Sequence, residues 1–264
     1  MDIEKEDLMP EIMWSYPKTI DKALEALQNK GAVPHGGGTG LLMGGLKKTA
    51  LIDLKGLSLR FIEEESDHFK IGAMATYSDC AKYLPSGNVV AIALSKAAST
   101  PLRNRITVGG SIAMAPIWSD IIGPMVASSG KIKLAGNDAR IPVEEYLRDS
   151  ELRRNSLIEH VEVPKFDGIQ YYHRETRTHF DYPMFTLSMV IDGESAKVVI
   201  TGVKSKFARL ESIEKAITGE ISADEAIAKL DLDFPSKMQA RANYLRKVAV
   251  TEILRGLEKI GGIR

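Results

Sequence analysis

The run His35-Gly36-Gly37-Gly38-Thr39-Gly40 constrains this chain more than any other feature, because four glycines in six positions supply almost no side chain to bury. Such a run turns tightly and can aim several backbone N–H groups at one anion, the usual way to hold a pyrophosphate. A plain flexible turn is the alternative. A second run, Thr107-Val108-Gly109-Gly110-Ser111-Ile112-Ala113, follows Arg103-Asn104-Arg105 and precedes Ser119-Asp120. Two glycine turns at the ends of strands could grip both phosphates of a dinucleotide from opposite sides. Thr107 and Ser111 would add hydroxyl donors there, and Asp120 an acceptor for a ribose hydroxyl. His35, bordering the first run, is a candidate phosphate donor.

The common mononucleotide signatures fail on spacing. G-x-G-x-x-G begun at Gly36 or Gly38 would need glycine where Leu41 and Met43 stand, and a P-loop reaching Gly45 would need Lys-Ser or Lys-Thr where Leu46-Lys47 follows. No serine sits in a G-x-S-x-G elbow, and His35, His68, His160, His173 and His179 form no recognised ligand spacing. Cys80 is the only cysteine, so an iron–sulfur cluster or structural zinc would have to lie on another chain. Lysine plus arginine and aspartate plus glutamate each total 35, which leaves no basic field to gather nucleic acid. The acidic opening Met1-Asp2-Ile3-Glu4 lacks a secretory pattern, and no stretch is apolar enough to span a membrane. A cytoplasmic location is expected.

Local patterns give an α+β chain. Ile20, Ala23, Leu24 and Leu27 share a helical face behind Thr19, Ala32-Val33-Pro34 is extended, and Ala50 to Leu54 reads as a buried strand. Phe69 to Ala73 and Leu157 to Val163 read as strands, Tyr77 to Leu84 and Val89 to Ala98 as helices. Phe166-Asp167-Gly168 is expected to be a hinge. Beyond it, Phe185 to Ile191 and Ala196 to Val203 form a hairpin through Asp192-Gly193, followed by helices over Ala223 to Leu230 and Lys237 to Ile260. The cluster Glu144, Glu145, Arg148, Glu151, Arg153 and Arg154 reads as a solvated helical face, and Met114 to Trp118 as core.

The two glycine runs resemble the FAD-binding medium subunit of molybdenum hydroxylases, the group of carbon monoxide dehydrogenase, xanthine dehydrogenase and aldehyde oxidoreductases. Gly36 to Leu42 is similar to that family's G-G-T-D-L-L segment. Arg103 to Ala113 with Ser119-Asp120 is similar to R-N-x-A-T-I-G-G-N-I-A…S-D. Leu51 to Leu54, Lys70 to Thr76, Leu157 to Pro164, Arg177 to Tyr182 and, weakly, Tyr244 to Ala249 extend the likeness over nearly the whole chain. Gly40 replaces a frequent aspartate, Ser111 an asparagine or aspartate, and His173 a lysine, while the lysine expected after the first loop is displaced to Lys47.

The resemblance implies a two-lobed PCMH-type FAD-binding domain over residues 1–165, with lobes of about 1–55 and 56–165, then an α+β domain over 166–264 with an antiparallel sheet and helices. It implies that His35, Gly36, Gly37, Gly38, Thr39 and Gly40 meet the diphosphate from one side. Thr107, Gly109, Gly110, Ser111 and Ala113 meet it from the other, with Asp120 on the ribose, Ile158 near the flavin and Tyr182 against the isoalloxazine. It further implies a large molybdopterin subunit and a small [2Fe–2S] subunit as partners, and NAD, a quinone or oxygen as the external electron acceptor. Two other readings are a stand-alone flavin oxidoreductase of the PCMH-type superfamily and a flavin-free scaffold subunit.

Overall fold

The computed structural model describes residues 12–41, 50–235 and 242–261; the acidic opening, Leu42, Lys47 and the start of the last expected helix lie outside them. Strand β1 (Met13–Ser15) leads into helix α1 (Ile20–Leu27), whose first turn is held by Thr19 accepting from the Lys22 N–H. Strands β2 (Ala32–His35) and β3 (Ala50–Asp53) join β1 in a parallel sheet of order β1-β3-β2. Central β3 is the buried one, as its Ala-Leu-Ile sequence requires, and Ala23 of α1 closes a small core on Ile52, Leu54 and Leu57.

The next unit is a sheet of order β4-β5-β8-β6-β7, built from β4 (Ile62–Glu64), β5 (His68–Gly72), β6 (Lys131–Leu134), β7 (Arg140–Pro142) and β8 (Ile158–Pro164), paired antiparallel. Helices α2 (Tyr77–Tyr83), α3 (Val89–Lys96), α4 (Thr100–Arg103), α5 (Val108–Met114), α6 (Ile122–Ala127), α7 (Val143–Arg148) and α8 (Ser150–Arg154) belong to the same unit. A reciprocal cap between Thr76 and Asp79 starts α2. Asn88 caps α3, whose valine, alanine and leucine side chains are buried almost all round.

Strands β9 (Ile169–Glu175), β10 (Phe185–Asp192), β11 (Ser195–Val203) and β12 (Lys206–Arg209) form an antiparallel sheet of order β12-β11-β10-β9, followed by α9 (Glu211–Ile217), α10 (Ala223–Ala228) and α11 (Ala242–Lys259). The expected hairpin is present, with Gly193 taking the left-handed conformation at φ 58°. From Phe185 to Val190 every residue of β10 is buried, because α6 packs on the strand as α11 does. Tyr172, Val190 and Val199 of this sheet share a core with α3, α6 and β8.

Two expectations change. Gly168 is no hinge: a Cβ there would fall 1.8 Å from the Ile191 carbonyl oxygen, so the segment is pressed against β10. Nor is the second glycine run a turn; it is helix α5 from Val108 onward.

Candidate functional site

The first glycine run leaves the sheet at His35, which is registered on Asp53, and crosses directly onto the segment before α5. A Cβ at Gly37 would lie 1.6 Å from the Arg105 carbonyl oxygen, and one at Gly36 would lie 3.0 Å from Thr107 Oγ1. Only glycine permits that approach at residue 37. Arg105 Nη2 donates to the Gly37 carbonyl at 3.1 Å, tying the two segments together across 68 residues. Gly38 adopts φ 76°, and the N–H groups of Gly37, Gly38 and Thr39 have no acceptor among the described residues. The turn therefore presents unspent donors, as an anion nest does.

At the second run the donors are already engaged. Thr107 caps α5 by accepting from the Gly110 N–H at 3.3 Å, while the Val108 and Gly109 N–H groups donate to the Ala75 and Ala73 carbonyls at 2.9 Å. The Ser111 hydroxyl donates to the Thr107 carbonyl at 2.9 Å and is buried. Gly109 is required for packing, since a Cβ there would meet Ala73 Cβ at 2.6 Å. Ala113 is half-buried, and Ile158 lies inside the core.

Between the two segments opens a cleft of about 680 Å³, lined among others by His35, Gly36, Gly37, Lys55, Arg105 and Thr107. Arg60 also lines it but is paired with Asp79 at 2.9 Å. Lys55 has no carboxylate partner among the described residues, which leaves a positive wall beside the free N–H groups.

Asp120 sits deeper. Its Oδ1 accepts from Arg174 Nε at 2.7 Å and from the Tyr172 hydroxyl at 3.1 Å, and Arg174 Nη2 also donates to the Asp181 carbonyl at 2.8 Å. Burial pushes the Asp120 carboxyl up from its ordinary range, with Arg174 and then Tyr172 pulling the other way. Asp120 thus joins the segment after α5 to β9 and to the loop that carries Tyr182. Tyr182 is 61% exposed, and its ring leans on Trp118 with centroids 5.3 Å apart. Trp118 is half-buried and Met114 40% exposed, so this stretch is only partly core. Arg105 and Arg174 were missed from sequence; neither lies in a glycine run, and their partners are remote.

The residues suit a diphosphate-bearing cofactor. Gly37 lines a cleft together with Lys55 and Arg105, Gly38 beside it is left-handed, and the N–H groups of Gly37, Gly38 and Thr39 have no acceptor among the described residues. The chain is 27% identical over 170 residues to indole-3-acetaldehyde oxidase of Zea mays, a match covering 58% of this chain and only 13% of that protein. Carbon monoxide dehydrogenase from Hydrogenophaga pseudoflava superposes with a TM-score of 0.82 at 24% identity, covering 94% of this chain and 96% of that one. The dehydrogenase of Oligotropha carboxidovorans gives 0.83 at 20% identity, covering 97% and 99%. At such identities these structures establish the fold. The sequence family described as the FAD-binding domain in molybdopterin dehydrogenase matches residues 9–166, more than half of the chain. On that match the chain belongs to the FAD-binding domain family of the molybdopterin dehydrogenases.

Proposed function

We propose that this chain is the flavoprotein subunit of a molybdenum hydroxylase, taking electrons from the [2Fe–2S] clusters of a small partner subunit and passing them to NAD, a quinone or oxygen. The large subunit would carry the molybdopterin chemistry. The observation that carries this reading is the meeting of the two glycine segments at Gly37 and Arg105 beside unspent N–H groups. FAD, when bound, accepts electrons singly and releases them in pairs.

The chain's own residues bind and shield. Gly37, Gly38 and Thr39 donate backbone N–H groups to the diphosphate, with His35 and the Thr107 hydroxyl beside them and Gly36 and Gly40 keeping the approach clear. Gly109, Gly110, Ser111 and Ala113 form the helical floor opposite. Asp120 receives a ribose hydroxyl, in competition with the Arg174 and Tyr172 donors that already engage its carboxylate. Ile158 packs near the ring system, and Tyr182 with Trp118 limits water access to it. The lobes and the C-terminal domain divide near residue 165, where β8 ends and a new sheet begins. No helix among the described residues is long and apolar enough to cross a membrane, and a cytoplasmic enzyme fits that.

The test is to purify the chain alone and with its partner subunits, add FAD, and record flavin absorbance before and after reduction through the partners. A yellow complex whose flavin bleaches on adding the organic substrate supports the reading. A colourless complex that still assembles would replace it with the scaffold role, and substrate turnover by the chain alone with the stand-alone oxidoreductase.

A further inference from the structure

We infer that His35 and Arg105 form a hydrogen-bonding clasp on the cofactor diphosphate, one jaw from each segment. The inference rests on the flavin reading above and adds Arg105, at a position the family pattern leaves open.

The geometry comes from Gly38. A Cβ there would lie 3.0 Å from His35 Nε2 and 3.8 Å from Arg105 Nη2, so the missing side chain leaves a point that two nitrogen donors face from separate parts of the chain. The N–H groups of Gly37, Gly38 and Thr39, which have no acceptor among the described residues, belong to the same turn. Arg105 spends one N–H on the Gly37 carbonyl, and its remaining donors have no partner among the described residues. It can therefore hold the loop and reach an oxyanion together.

His35 is fixed for the same task. Its ring stands edge-on to Trp14 with centroids 5.0 Å apart, and Nδ1 is buried without a hydrogen bond. That leaves Nε2 as the nitrogen turned toward the turn. The charged groups around it are Asp53, its register partner on β3, whose Oδ1 accepts from the Lys55 N–H, and the cleft cations Lys55, Arg60 and Arg105; Trp14 brings no charge from β1. Arg60 is neutralised by Asp79. An anion between His35 Nε2 and Arg105 Nη2 gives both nitrogens a partner.

The experiment compares FAD with riboflavin, which has the same ring system and no phosphate, on the full chain by flavin fluorescence. Arg105→Ala should weaken FAD about 10- to 100-fold, the range for a charge-assisted hydrogen bond, and weaken riboflavin far less, while the ligand-free chain melts somewhat lower because the tie to the Gly37 carbonyl is lost. Arg105→Lys should recover most of the loss. His35→Ala should weaken FAD about 3- to 10-fold, the range for a neutral hydrogen bond, and leave riboflavin affinity unchanged. A purely structural latch would weaken both ligands equally, which overturns the clasp. Should Arg105→Ala fail to fold, a salt series on the wild type decides: the FAD dissociation constant must climb with salt and that of riboflavin must not. If the wild type binds FAD and every one of these contrasts is absent, the clasp alone fails; if it binds neither flavin even with its partner subunits, the flavin reading fails with it.

Discussion

Arg174 Nε donates to Asp120 Oδ1 across 2.7 Å, with both side chains at most 10% exposed, and this one ion pair joins the segment after α5 to strand β9. A pair so placed holds two units in register, because neither charge can be left alone in that setting. The same guanidinium reaches the Asp181 carbonyl, so the position of the neighbouring Tyr182 is coupled to Asp120 through a single side chain.

Asp120→Asn should therefore cost about 3–5 kcal/mol in urea unfolding, since it leaves the Arg174 charge buried and uncompensated. Arg174→Met with Asp120→Leu should restore a good part of that loss. A double variant whose cost equals the sum of the two single costs would show that the pair does not couple the two units.

Glycine matters differently at two positions of the first run. At Gly37 the obstacle is the backbone carbonyl of Arg105, which cannot withdraw without parting the two segments; at Gly40 it is the Met114 thioether, 2.5 Å from a would-be Cβ. A methionine end swings aside readily. Gly37→Ala should cost about 1–3 kcal/mol by overpacking and weaken FAD about tenfold or more. Gly40→Ala should stay within about 0.5 kcal/mol, like Gly87→Ala, whose Cβ would meet nothing. The check is thermal melting with and without FAD; a mild Gly37→Ala would remove the argument for close approach.

Gly40 and Met114 are neighbours in space. An aspartate at residue 40 would occupy the volume of the Met114 thioether. Gly40→Asp should accordingly be tolerated better in a Met114→Ala background than alone, by about 1 kcal/mol or more in a double-mutant cycle.

Local signals made most of the elements legible. Thr19 and Ser222 mark helix starts, and Asp192-Gly193 marks the hairpin. Helix α5 escaped notice because Gly109 and Gly110 carry poor helix propensity; tertiary bonds from the Val108 and Gly109 N–H groups to Ala75 and Ala73 hold its first turn instead. Arg174 and Asp120 lie 54 residues apart, and no spacing rule pairs them. Trp118 looked like core because its partner, Tyr182, is supplied by a distant loop.

The pH dependence of stability should expose His160. This residue of β8 is 1% exposed, its Nε2 is 3.4 Å from Glu162 Oε1, and its Nδ1 makes no hydrogen bond. Burial pushes the imidazole below its ordinary value of 6.5, with Glu162 opposing and Lys70 adding to the shift. The unfolded chain therefore binds this proton at higher pH than the folded one, so the stabilisation is complete well above about 6.5 and is lost as pH falls toward the folded value. Glu159 and Glu162 are held below the ordinary 4.5 despite burial, chiefly by Lys133 and Arg140 respectively, and their own contributions disappear only in stronger acid. Melting temperature should thus begin to drop between about pH 6.5 and pH 5, before the carboxylates protonate, and His160→Gln should flatten that first segment while keeping the later fall. An unchanged profile in the variant would assign the early loss to another group.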